Sequence, residues 1–198
     1  MAWHDVGMAS IEVVPATPER WDDVVTILGS GGEQGCWCQA PRGREAGRPD
    51  KGPDLRPRLL REQLAEDPPA GMLAYLEGVV VGWLGFGPRD RLPRLQRSRT
   101  IPAIDDLPVW SVLCFNVRPG YRKRGVATAL LDGLVLYAER SGAPGVEAYP
   151  IDPGGQRVDT SFGFVGMTGW FERAGFERIV ETDGHSAGRT RILMRRMF

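Results

Sequence analysis

Residues Val109–Ala138 read VWSVLCFNV, then RPGYRKRGVAT, then ALLDGLVLYA. The first part is β-branched and aromatic, which predicts a strand. The second is a short basic loop containing Gly120 and Gly125. The third is apolar at helical spacing: Val126, Leu130, Leu134 and Tyr137 form one row, and Ala127, Leu131, Val135 and Ala138 the next. A strand therefore runs through a basic turn directly into a helix. The first N–H groups of a helix have no internal partner, and its dipole adds partial positive charge there. Such a terminus binds phosphate. Arg122, Lys123 and Arg124 bring full charges to it, and Gly125 leaves room for an anion to approach the backbone. Three cations at this end need an anion to offset them, or solvent to screen them. The segment predicts a pyrophosphate cradle.

Two common glycine loops do not match. The P-loop needs Lys and Ser/Thr after its second glycine, where Val126 and Ala127 stand. The dinucleotide fingerprint needs G-x-G-x-x-G between strand and helix, and nothing here supplies it. Arg122-Lys123-Arg124-Gly125-Val126-Ala127 instead resembles the R/Q-x-x-G-x-G/A loop of the GNAT superfamily of acetyl-CoA-dependent N-acetyltransferases. Phe171-Glu172-Arg173-Ala174-Gly175-Phe176 resembles the late helix and turn of the same family, in the expected order. More narrowly, GCWCQ, LQRSRT, DDLPVWSVLCF and EAYPID resemble an actinobacterial subgroup largely without assigned substrates. The resemblance covers the chain from about Ile11 to Met197.

It implies a mixed α/β fold with a mostly antiparallel central sheet and helices on both faces. The sheet splays between the strands at Val109–Val117 and Pro144–Tyr149, and coenzyme A enters the wedge. Backbone amides of Phe115, Asn116 and Val117 would meet the cofactor and its acetyl oxygen. Amides of Arg122, Lys123, Arg124, Gly125, Val126, Ala127 and Thr128 would hold the pyrophosphate. The family often places a tyrosine where Phe171 stands, to protonate the departing thiolate. Phenylalanine has no exchangeable proton. Three alternatives follow: Tyr149 or another group substitutes, the thiolate leaves without an acid, or the chain binds acyl-CoA without efficient turnover.

Acetyl transfer to an amine also needs a base. Glu147 and Asp152, in EAYPID at the end of a strand expected to line the wedge, are the candidates. Burial there would raise a carboxylate's pKa towards a useful value. Asp105 and Asp106 could attract a cationic amine, or serve as an ordinary turn pair. Trp37 is expected as an aromatic wall of the acceptor pocket. Cys36-Trp37-Cys38 matches no common zinc spacing, and only Cys114, His4 and His185 remain to complete a site, so no metal is expected. Arg89, Arg91, Arg94, Arg97 and Arg99, with Asp90, give one loop a charge of 5 − 1 = +4. That loop could meet an acidic substrate, nucleic acid or a partner, or simply be solvated.

The bulk numbers bound these readings. A chain of 198 residues suits one domain, here 11–198 after a loose tail at 1–10. Lys+Arg 25 balance Asp+Glu 25, which disfavours a general nucleic-acid or membrane binder. The start lacks a signal-peptide pattern and no apolar run is long enough to span a bilayer, so a cytoplasmic protein with reduced thiols is expected. The expected activity is direct acetyl transfer from acetyl-CoA to a primary amine of a small molecule or peptide. A non-catalytic acyl-CoA-binding or regulatory module is the alternative. Dimers are common in the family, so a homodimer is compatible with this reading.

Local signals give the element order. Ile11 to Val14 reads as a strand. Thr17 with Pro18 predicts a first helix, and Asp54 a cap for a second. Glu77-Gly78 predicts a hairpin between Met72–Leu76 and Val79–Phe86, and Pro88 to Pro108 a long loop. A short helix should end at Gly175. Phe176–Thr182 and Thr190–Met197 should pair, joined across Asp183 to Gly188.

Overall fold

The structure is a computed structural model describing residues 10–29, 35–43, 52, 54–155 and 163–198. The expected tail lies outside the described residues except for Ser10, and so does most of the irregular stretch after the first helix.

The chain begins with β1 (Ile11–Pro15), α1 (Trp21–Leu28) and α2 (Leu55–Gln63). Next come β2 (Gly71–Leu76), β3 (Val79–Pro88), a short α3 (Pro93–Gln96) and β4 (Trp110–Val117). It closes with α4 (Val126–Arg140), β5 (Gly145–Ala148), α5 (Thr168–Arg173), β6 (Glu177–Ser186) and β7 (Arg189–Met197). The seven strands form one sheet in the order β1-β2-β3-β4-β5-β7-β6. All neighbours are antiparallel except β4 and β5. This is the mixed α/β layout that the resemblance implies.

Two apolar layers sandwich the sheet, because alternate strand residues face opposite sides. Met72, Ala74, Leu84 and Val112 meet Leu130, Leu131 and Leu134 of α4 on one face. Leu73, Trp83 and Leu113 meet Val24 and Ile27 of α1 and Leu60 of α2 on the other. Each fully buried leucine contributes about 1.5–3 kcal/mol relative to exposure.

Some local expectations change. Thr17 and Asp54 make no side-chain capping bond, and a 3-10 turn at Pro18–Arg20 precedes α1. The loop after β3 holds another 3-10 turn (Arg89–Arg91) and α3, which polarity had hidden. The last hairpin turns at Ala187-Gly188, both at positive φ, so β6 runs four residues past Thr182. Polar strand residues facing water carry no alternation signal there, which is why the pattern fades early.

Candidate active site

The expected splay is present between the two parallel strands. β4 and β5 share two rungs, Trp110 with Val146 and Ser111 with Glu147. Beyond them the chain after β5 follows β7 instead, with Ile151 bridging Arg191 and Met167. Among the described residues, β4 and β5 therefore share no rung past Ser111 and Glu147, and the Gly163–Val165 turn lies near β4. A bulge lies in the same strand: Gly85 pairs Cys114 and Phe86 pairs Val112, leaving Leu113 as the extra residue.

The basic turn stands at the end of β4. Lys123 (φ +61) and Gly125 (φ +81) are both left-handed, and Gly125 is the N-cap of α4. The first α4 bond runs from the Ala129 N–H to the Gly125 carbonyl, 2.9 Å. Val126, Ala127 and Thr128 are thus the helix positions whose amides lack a helical acceptor. Alternating left- and right-handed residues make a concavity of N–H groups suited to anions. A Cβ on Gly125 would meet nothing within 4 Å, so the space above it is open. Arg122, Lys123 and Arg124 are exposed. Arg122 Nε donates to the Val117 carbonyl (3.2 Å), while Arg118 and Arg124 lie over the Tyr121 ring, both 5.5 Å from its centroid. Lys123 and Arg124 have no ion pair among the described residues. Exposed positive charge and helix-end amides without a helical acceptor suit the turn to an anionic group.

A second charged group forms at the last shared rung. Val146 and Ala148 pack under α4, so Glu147 and Tyr149 project to the opposite face. Glu147 is 1% exposed. Its Oε1 accepts from Arg89 Nη1 (2.7 Å), Ser111 Oγ (2.8 Å) and the Tyr149 hydroxyl, and its Oε2 from Arg195 Nη2 (2.9 Å). Arg89 also donates to the Tyr149 oxygen and to the Ile101 carbonyl (3.1 Å). Arg195 bridges onward to Asp105. Two arginines thus meet two carboxylates, and the group is internally neutral.

This arrangement overturns the expected direction of the Glu147 shift. Burial raises a carboxylate's pKa, but the bonds from Tyr149, Arg195 and Arg89 outweigh it and hold Glu147 below its ordinary 4.5. Burial and the Glu147 charge push the Tyr149 hydroxyl up. Asp152 is elsewhere and half exposed; the Gly154 amide and Arg178 (2.6 Å) lower its pKa. Arg191 Nε donates to the Tyr149 carbonyl (2.7 Å), and burial lowers its pKa to about 10.

The remaining expected residues do not gather into one site. Trp37 is 5% exposed and stacks on Trp21 at 5.8 Å, inside the core beneath α1. Asp105 is tied to Arg195, which keeps its carboxyl below the usual range, and Asp106 is exposed. Phe171 is fully buried against Phe115 and Phe176. Phe115 is buried, while Asn116 and Val117 are half-buried. The arginine loop divides: Arg89 is buried at Glu147, Arg91 and Arg94 bond the carbonyls of Asp67 and Ala40, and Arg97 and Arg99 are exposed. Sequence reasoning did not single out Arg195 or Ser111, since nothing in RILMRRM marks one arginine as inward-facing.

A family model described as the acetyltransferase (GNAT) family matches residues 37–158. The chain belongs to the GNAT acetyltransferase family. Its members transfer an acyl group from acyl-CoA to an amine. Solved structures share the fold of this GNAT chain at low identity. An agmatine N-acetyltransferase is 13% identical with a TM-score of 0.57, covering 95% of this chain and 99% of its own. A GNAT-family acetyltransferase from Streptococcus pneumoniae is 15% identical with a TM-score of 0.55, covering 96% and 99%. Ard1 from Thermoplasma volcanium is 15% identical with a TM-score of 0.52, covering 94% and 97%. No curated protein sequence matches this GNAT chain.

Proposed function

We propose that the protein is an N-acetyltransferase that moves an acetyl group from acetyl-CoA to a primary amine of a small molecule or peptide, directly in a ternary complex in the cytoplasm. The observation that carries this reading is the parting of β4 and β5 after Ser111–Glu147, with the open basic turn at the end of β4. Acetyl-CoA would supply a thioester carbonyl that an amine can attack. Amides of Arg122 to Thr128 would grip its pyrophosphate, with Lys123 and Arg124 adding charge. The unpaired edge of β4, including Phe115, Asn116 and Val117, would orient the chain towards the apex. Oriented backbone donors stabilise developing oxyanion charge without reorganising.

Glu147 is better suited to holding a charge in place than to taking a proton, because four donors already occupy its oxygens. We assign it as a positioning residue that keeps Arg89, Tyr149, Arg195 and Ser111 in register. The acceptor then arrives as free amine or passes its proton to water. Asp105, Asp106 and Trp37 lie at the margin or in the core, and the acceptor's identity rests on none of them. The likeness to an actinobacterial subgroup names no acceptor either.

The buried Phe171 favours a second reading, a non-catalytic acyl-CoA-binding module. Calorimetry with acetyl-CoA and with CoA tests the cradle, and binding of neither by folded protein rejects both readings. Thiol release across an amine panel separates them: turnover with any amine establishes the enzyme, and tight binding without turnover establishes the module.

A further inference from the structure

We propose that Cys38 and Cys114 form a redox-active dithiol that a hydroperoxide oxidises to an intrachain disulfide. Their sulfurs stand 3.1 Å apart although the residues are 76 positions apart in sequence. A disulfide needs about 2.0 Å, so the sulfurs must close by roughly one ångström. Cys38 is 2% exposed, and Cys114 is half-buried on β4.

The surroundings are built around the pair. A Cβ on Gly85 would lie 2.3 Å from Cys38 Sγ, 3.1 Å from Cys114 Sγ and 3.1 Å from Trp83 Nε1. Only glycine leaves room for two sulfurs and an indole N–H to converge there. Trp37 (φ +45) and Cys38 (φ +55) are both left-handed, and neither is glycine. Such strain persists only where the surroundings enforce it; here it accompanies the inward placement of Cys38.

The local charge also asks for an anion. Arg42 is 3% exposed and has no carboxylate partner among the described residues. Its Nη2 donates to the carbonyls of Ala70 (2.5 Å) and Phe86 (2.8 Å), while its Nε and Trp83 Nε1 are buried donors without an acceptor among the described residues. A buried guanidinium is costly without a compensating charge, and the Cys38 thiolate supplies one. The Cys114 hydrogen bond first, then the nearby Arg42 charge, offset burial and hold the Cys38 pKa down to about 6. Cys114 is pushed the other way by donating to Cys38 and by burial, with the Cys38 charge adding to this. One sulfur is thus the nucleophile, and the other keeps its proton.

The chemistry balances. The Cys38 thiolate attacks one peroxide oxygen, the O–O bond breaks, Cys38 becomes a sulfenic acid, and the departing hydroxide takes up the proton Cys38 had lost and leaves as water. The Cys114 sulfur then attacks the Cys38 sulfur, the S–O bond breaks and water leaves with the thiol proton. In sum, two thiols and one hydrogen peroxide give one disulfide and two waters.

The test treats the full-length protein with hydrogen peroxide and reads intact mass, followed by peptide mapping without reduction. The expected result is a loss of two hydrogen masses, reversed by dithiothreitol, with Cys38 joined to Cys114 and Cys36 still titratable. Cys36→Ser, at an exposed position, should behave the same. The rate should stay near its plateau at pH 7 and fall as the pH drops below 6. Cys114→Ser should gain oxygen on Cys38 instead of losing hydrogens. No loss of two hydrogen masses in folded wild-type protein, or a link through Cys36, would overturn the proposal, and a rate that climbs only above pH 8 would overturn the choice of Cys38 as the nucleophile. None of these readouts depends on acetyl transfer, so this proposal and the proposed enzyme can fail separately.

Discussion

The basic turn before α4 and the charged group at Glu147 hold arginines under opposite conditions. Lys123 and Arg124 face water with no carboxylate among the described residues beside them, at a helix end where cations are disfavoured. Arg89 and Arg195 lie buried, each ion-paired to Glu147. The first arrangement leaves charge available for something outside the chain. The second spends it internally, where removing one partner strands the others. The contrast teaches that charged residues separate into solvent-facing and internally paired groups by burial, not by residue type.

The sharpest way to break this contrast is Glu147→Gln. It should destabilise the fold by about 3–5 kcal/mol, measured by urea unfolding, because two buried guanidinium groups lose their anion. Stability should also lose part of its acid dependence. With the folded pKa below 4.5, the contribution is complete above that value and is lost as pH falls through the folded pKa. Unfolding curves from pH 7 to pH 3 should therefore be flatter in the variant. Unchanged stability in the variant would mean that the group is not scaffold.

Gly125→Ala comes next. A left-handed alanine costs about 1–2 kcal/mol, and its methyl group enters the open space over the turn. Melting and calorimetry should show that modest loss together with acetyl-CoA binding weakened about tenfold or more. Strain without weaker binding would detach this glycine from the ligand.

Lys123→Ala and Arg124→Ala should leave stability within about 0.5 kcal/mol. Each should weaken acetyl-CoA binding several-fold at low salt, with the difference shrinking as salt rises. Binding isotherms at two ionic strengths measure this. Equal affinity at both would show that the charges do not face the ligand.

Asp152→Asn should have the smallest effect. Its bridge to Arg178 joins side chains 39% and 45% exposed, so stability should change by less than about 1 kcal/mol. The acetylation rate should stay the same from pH 6 to 9. A large fall in rate at unchanged stability would make Asp152 the base.

Much of this was legible in the chain because local rules govern it. The strand, basic turn and helix from Val109 to Ala138 announce themselves by periodicity, and the hairpin at Glu77-Gly78 by its turn residues. Glu147 was also singled out, but its surroundings were not. Arg89, Ser111 and Arg195 come from separate strands or loops, and no spacing connects them. The expected pKa rise failed for that reason: burial follows from a strand position, whereas counter-charges come from distant segments.

The same division holds for the cysteines. Cys36-Trp37-Cys38 stood out in the sequence as neighbours, yet the sulfur beside Cys38 is that of Cys114. By itself the amino-acid order determined most of the elements, their succession and the basic turn before α4, since each depends on neighbours within a few residues. Only tertiary packing decided which charges are neutralised, which carboxylate stays ionised and which thiols meet, because burial and pairing depend on residues brought together from across the sheet.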